Sequence, residues 1–178
     1  SISNRSYTID EAIGEKMAYD FSMLQQHGGP SLSFRYGNDP APTEKTMWEI
    51  MLVTEKSEDV DLDQVMQQTR EGGIRLPELT HKEKAQQLIY EAFEAQPPER
   101  YTLCEKALKV DPDCADAYNL LAEKEKKMEM KLQLLEKGMR LAKKEISECF
   151  HDGTPFWKYV RTRPYMRLTL NLALALKD

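Results

Sequence analysis

The 178 residues contain no Gly-x-x-x-x-Gly-Lys phosphate loop, no Gly-x-Gly-x-x-Gly, no Gly-x-Ser-x-Gly and no His-Glu-x-x-His. Those absences leave no recognised catalytic signature. The three histidines, His27, His81 and His151, are far apart, each at an expected helix end, where His27 and His151 suit a C-terminal helix dipole. Cys104, Cys114 and Cys149 are odd in number and lack metal-site spacing, which fits a reducing compartment and makes the cytoplasm the expected location. Cys104 and Cys114 fall in or beside expected helices, as packed thiols rather than reactive ones. No glycine-centred calcium loop follows Asp111-Pro112-Asp113. No apolar run reaches the length of a membrane span, and no basic-then-apolar leader opens the chain. The first residue is not Met, from which a trimmed, tagged or embedded start is expected. The chain is read as a non-enzyme, with no catalytic, cofactor-binding or metal residue.

What is present suits a protein with a real but modest core: 40% hydrophobic and 31% charged residues. A net charge of -5 argues against nucleic acid as a partner. The charge is uneven. Lys158, Arg161, Arg163, Arg167 and Lys177 make the C-terminal end basic, whereas Glu55, Glu58, Asp59, Asp61 and Asp63 make a stretch before Thr80 acidic.

Helical periodicity organises the chain. Thr8-Ile9-Asp10-Glu11 reads as a capping box opening a helix with Ile9, Ile13, Met17, Phe21 and Leu24 on one face. A loop rich in turn formers follows over 28–42. Thr43–Lys56 reads as a second helix, with a short strand over Met47–Val53 as the rival, and Asp59–Glu71 as a third ended by Gly72-Gly73. A boundary is expected at Leu79. Thr80-His81-Lys82-Glu83 is a further capping box, and Gln96-Pro97-Pro98-Glu99 turns that helix into its antiparallel neighbour. Pro112 ends this second helix, with Asp113 expected to cap the next. From Ala115 to Phe150 the chain has no proline, so one long helix competes with a hairpin turning at Lys124-Glu125-Lys126-Lys127. The hairpin is preferred because so long a helix is rare. A last helix is expected over Tyr165–Asp178, with leucine at every second position from Leu168 to Leu176.

The centre of this pattern resembles the tetratricopeptide repeat, whose period is about 34 residues with small residues at helix crossings and a boundary proline. Ala92, Ala107 and Pro112 fall on such positions in one unit, and Tyr118, Leu121, Ala122, Leu135 and Gly138 in the next. The resemblance is best over 80–146. The Asp111–Tyr118 and Thr162–Arg167 segments resemble a group of bacterial repeat proteins, which brings no chemistry with it. The resemblance implies an all-α fold: a right-handed helical array of antiparallel hairpins over 80–178, its last repeat incomplete, preceded by an N-terminal helical region over 1–79.

The resemblance also implies a function, the binding of a peptide or helix on the concave face of the array by an adaptor or scaffold. Arg163 and Arg167, one turn apart, can grip a carboxylate, with Lys158, Arg161 and Tyr165 beside them. Asn119 is a candidate contact to a ligand's backbone. The rival reading of these bases is a solvated edge, or pairing with the acidic N-terminal region. Leu168, Leu172 and Leu176 are read either as core or as the seam of a homodimer. The expected partner is an acidic protein or peptide, with neither nucleic acid nor membrane. A regulatory or accessory part of a larger enzyme is the alternative.

Overall fold

The computed structural model describes residues 42–57, 61–71, 73–150, 156 and 159–177. All belong to one compact unit, Gly37–Asp178. Among them every regular element is helical: α1 (Pro42–Lys56), α2 (Leu62–Glu71), α3 (His81–Glu94), α4 (Glu99–Val110), α5 (Ala115–Lys124), α6 (Met128–Glu145) and α7 (Arg163–Lys177), with 3-10 turns at Ser147–Phe150 and Val160–Thr162. Thr43–Lys56 is therefore helix and not strand. The helix expected from Ile9, the loop over 28–41, His27, His151 and Lys158 lie outside the described residues.

Local chemistry sets the ends. The Asp61 carboxylate accepts from the Asp63 and Gln64 amides at 3.0 and 3.2 Å and caps α2. Thr80 and Glu83 form the expected reciprocal box on α3: Glu83 N–H donates to the Thr80 hydroxyl at 3.3 Å, and Thr80 N–H to the Glu83 carboxylate at 2.7 Å. Arg100 then closes the α3–α4 turn by donating to the carbonyls of Ala92, Phe93 and Ala95. At the next boundary the expected cap fails. Asp111, not Asp113, organises the turn, its carboxylate accepting from the Asp113 amide at 3.1 Å, and Cys114 occupies the cap position with no side-chain bond. An Asp side chain reaches naturally to the amide two residues on, and that leaves Asp113 exposed one residue too early.

The Ala115–Phe150 stretch is a hairpin, broken at Glu125–Lys127 where the polar run stands. Thus α3 and α4, and then α5 and α6, pack as neighbouring pairs, and α7 packs on α6 and α5. At the α6 crossing, Gly138 has no room for a side chain. A Cβ there would lie 2.8 Å from Leu168 Cδ2, 3.0 Å from the Ala115 carbonyl and 3.1 Å from Tyr118 Cβ. Ala92, Ala107 and Ala122 are likewise buried.

Two apolar clusters result. One joins Trp48 and Leu52 of α1 to Ala85, Ile89 and Phe93 of α3, Cys104 and Ala107 of α4, and Ala117 and Leu120 of α5. So α1, which precedes the boundary expected at Leu79, shares a core with the helices after it. The other cluster gathers Ala122, Leu135, Ala142, Leu168, Leu172 and Ala175. Of the two readings of the leucines, the core reading holds for Leu168 and Leu172, while Leu176 is 64% exposed. Leucines spaced by two residues turn through about 200° at each step on a helix, so one face cannot hold them all.

Candidate functional site

Helices α3, α5 and α7 lie next to one another with α5 in the middle. Each sends a polar group into the same buried place. From α7, the Arg167 side chain turns inward and is only 4% exposed. Its Nε and Nη2 donate to the two Asp116 oxygens of α5 at 3.2 and 2.6 Å. Its Nη1 donates to both oxygens of Glu44, on α1, at 2.9 and 2.8 Å. From α3, Tyr90 donates its hydroxyl to Glu44 at 3.2 Å and Gln86 donates to Asp116 at 3.4 Å. The guanidinium lies over the Phe93 ring, 5.5 Å from its centroid. Arg163, one turn before Arg167, is 3.5 Å from Glu44 and 3.8 Å from the Met47 sulfur.

The electrostatics are consistent with a closed node. Two guanidinium groups balance two carboxylates, and a planar fork is the one cation that can serve both acids in pairs of bonds. Burial alone would lower the Arg167 pKa, but Asp116 and Glu44 outweigh it and push it up, so the charge is fixed. Burial, with Glu44 beside it, raises the Tyr90 phenol well above its ordinary value and keeps its proton in place as a donor.

Helix α1 is the element that this node holds. It runs antiparallel to α3: Lys45 pairs with Glu94 at 3.6 Å, and eleven residues on Lys56 pairs with Glu83, eleven residues back. Lys56 also donates to the Glu78 carbonyl at 2.8 Å. On its other edge, Glu44 meets Arg163 and Arg167, and Glu55 meets Arg161 just before α7 begins. Trp48 and Leu52 lie between the two lines of charge, Met47 and Met51 lie on the far side of the acidic one, and the Trp48 and Tyr90 rings are 5.3 Å apart. Glu44 and Glu55, like Lys45 and Lys56, are separated by three helical turns and so stand on one line. One edge of α1 is acidic and faces the bases of the α7 region; the other is basic and faces the acids of α3.

These placements change the roles expected of several residues. Arg167 is not an open anchor; it is consumed inside the chain, as is most of Arg163. Asn119 is buried and its carbonyl accepts from Asn171 of α7 at 2.8 Å, so it links α5 to α7 rather than facing a groove. Tyr165 packs edge-on to Phe150, 5.4 Å between centroids. Arg161 remains on the surface beside Glu55. Glu44, Asp116, Gln86 and Tyr90 were not anticipated. A signal exists: Glu44 stands one turn ahead of Trp48 on the apolar stripe, and the Glu-Lys pair at 44–45 recurs at 55–56.

A cleft of about 270 Å³ opens beside this node, between Trp48 and Met51 of α1, Lys82 and Gln86 of α3, Asp111 and Asp113, and Arg161. Its one thiol, Cys114, is raised by burial, and burial also pushes Cys104 up to about 12, so both are protonated at neutral pH. Among the described residues no group of acids, histidines and cysteines is arranged to hold a metal ion, and no helix is long and apolar enough to cross a membrane.

No protein-family model, no curated protein and no solved structure matches the chain.

Proposed function

We propose that the chain is a non-catalytic protein-interaction module. In this reading α3–α7 are tetratricopeptide-like hairpins in a right-handed array, acting as an adaptor or scaffold, and the trough from α3 across α5 to α7 takes an amphipathic helix. Arginine forks set its position by gripping a carboxylate, while apolar side chains supply the contact area. No bond is made or broken. The observation that carries the reading is the seating of Glu44 on Arg167 and Arg163, which displays the recognition chemistry on a helix of the chain itself. The small residues at the helix crossings, Ala92, Ala107, Ala122 and Gly138, support the repeat-like architecture.

The test changes the peptide, because α1 uses the same arginines and a change in them would weaken both helices. Two fluorescein-labelled amphipathic peptides are titrated to millimolar protein, one with Glu ahead of its apolar stripe and one with Lys there. The acidic peptide is expected to bind at least ten-fold more tightly. Equal affinities would remove the anchor from the account.

A further inference from the structure

We infer that α1 is a resident occupant of the trough, exchanged for a partner helix that carries the same pattern of side chains. The inference rests on the reading of the trough as a helix-binding site, and adds both the chemistry of the partner and the device that restrains it.

Charged side chains hold α1 in place on both sides. Its charged contacts are arranged in two lines: Glu44 and Glu55 toward Arg163, Arg167 and Arg161, and Lys45 and Lys56 toward Glu94 and Glu83. The receiving residues belong to α3, to the Val160–Thr162 turn or to the start of α7, and they form a basic side and an acidic side over apolar residues that include Ile89, Tyr90 and Phe93. A helix entering this trough is read for direction as well as composition, since reversing it would put each acid beside an acid. The fitting partner is therefore a helix of about three turns, with carboxylates eleven residues apart along one edge and lysine or arginine along the other. Bulky apolar residues stand three, four, seven and eight positions after the first carboxylate, as Met47, Trp48, Met51 and Leu52 do after Glu44.

Arg167 would not be stranded by the exchange. Asp116 holds it by two bonds from α5 whichever helix is present, so its second face stays aimed at the trough. The preorganised fork lowers the ordering cost of an incoming carboxylate. Attachment gives α1 the advantage of an effective concentration on the order of millimolar, so a free helix of equal quality competes poorly until α1 is weakened. Binding is then restrained without any change in the trough.

The experiment uses the full chain and a labelled peptide of residues 42–56 as the probe, followed by fluorescence anisotropy. Glu44→Gln and Trp48→Ala weaken the resident helix and leave every residue of the trough in place. The probe is expected to bind each variant at least ten-fold more tightly than it binds the unaltered chain. A probe with Glu44→Lys should lose that gain. Equal binding to all three chains would overturn the exchange while leaving the helix-binding reading intact. No binding to any of them, with the Glu44→Gln chain still unfolding cooperatively, would overturn both. Should Trp48→Ala fail to fold, the Glu44→Gln comparison decides by itself.

Discussion

Arg167 is the residue on which four helices converge, and its energetics follow from what its loss would leave behind. Glu44 and Asp116 are 5% and 0% exposed, so without the guanidinium two carboxylates would face each other out of water. Breaking a buried ion pair by deleting one partner costs about 3–5 kcal/mol. Arg167→Met should therefore lower the unfolding free energy by about that amount in urea titrations, and Arg167→Lys should recover little, because an ammonium cannot make both pairs of bonds. A loss below about 1 kcal/mol would mean that the node is a solvated surface pair. The sequence suggests that Arg163 and Arg167 grip the carboxylate of a ligand, and in the folded chain they meet that of Glu44. It does not tell which carboxylate, since Glu44 lies more than a hundred residues away and only the folded chain brings it near. Pairing with the N-terminal part of the chain was the rival expectation for these bases, and Glu44 and Glu55 are its agents.

Among the elements, α7 separates pattern from placement. Alternating leucines announce apolar surface, but helix rotation divides them: Leu168 and Leu172 face α6, whereas Leu176 faces outward. Leu172→Glu should destabilise the chain by about 3 kcal/mol or more through burial of an unpaired charge, and Leu176→Glu should change stability by less than about 0.5 kcal/mol. Urea unfolding of the two variants checks the assignment; comparable losses would contradict it. The break between α5 and α6 was legible in the polar run at Lys124–Lys127, and the capping box at Thr80 in its four residues. The Asp113 cap was not, because two nearby aspartates compete for one turn and the local sequence does not rank them.

At the scale of the molecule, the helical character of the described residues was legible from period and punctuation alone, because each helix reports its own buried face. The position of α1 was not. Its amphipathic stripe says that something covers Trp48 and Leu52, and Glu-Lys pairs at both ends say that the cover has two edges of opposite charge. Neither identifies that cover as α3 and the start of α7. On the proposed reading, α1 is a separable helix seated in a trough that the other helices build. Native-state hydrogen exchange tests it most directly, since it measures the opening free energy of each helix in the unaltered protein. The account predicts that amides within Pro42–Lys56 exchange through an opening of lower free energy than those of α3, α5 and α7, and that Glu44→Gln lowers it further. Exchange of α1 only with global unfolding would contradict it, and would make α1 a permanent part of the core.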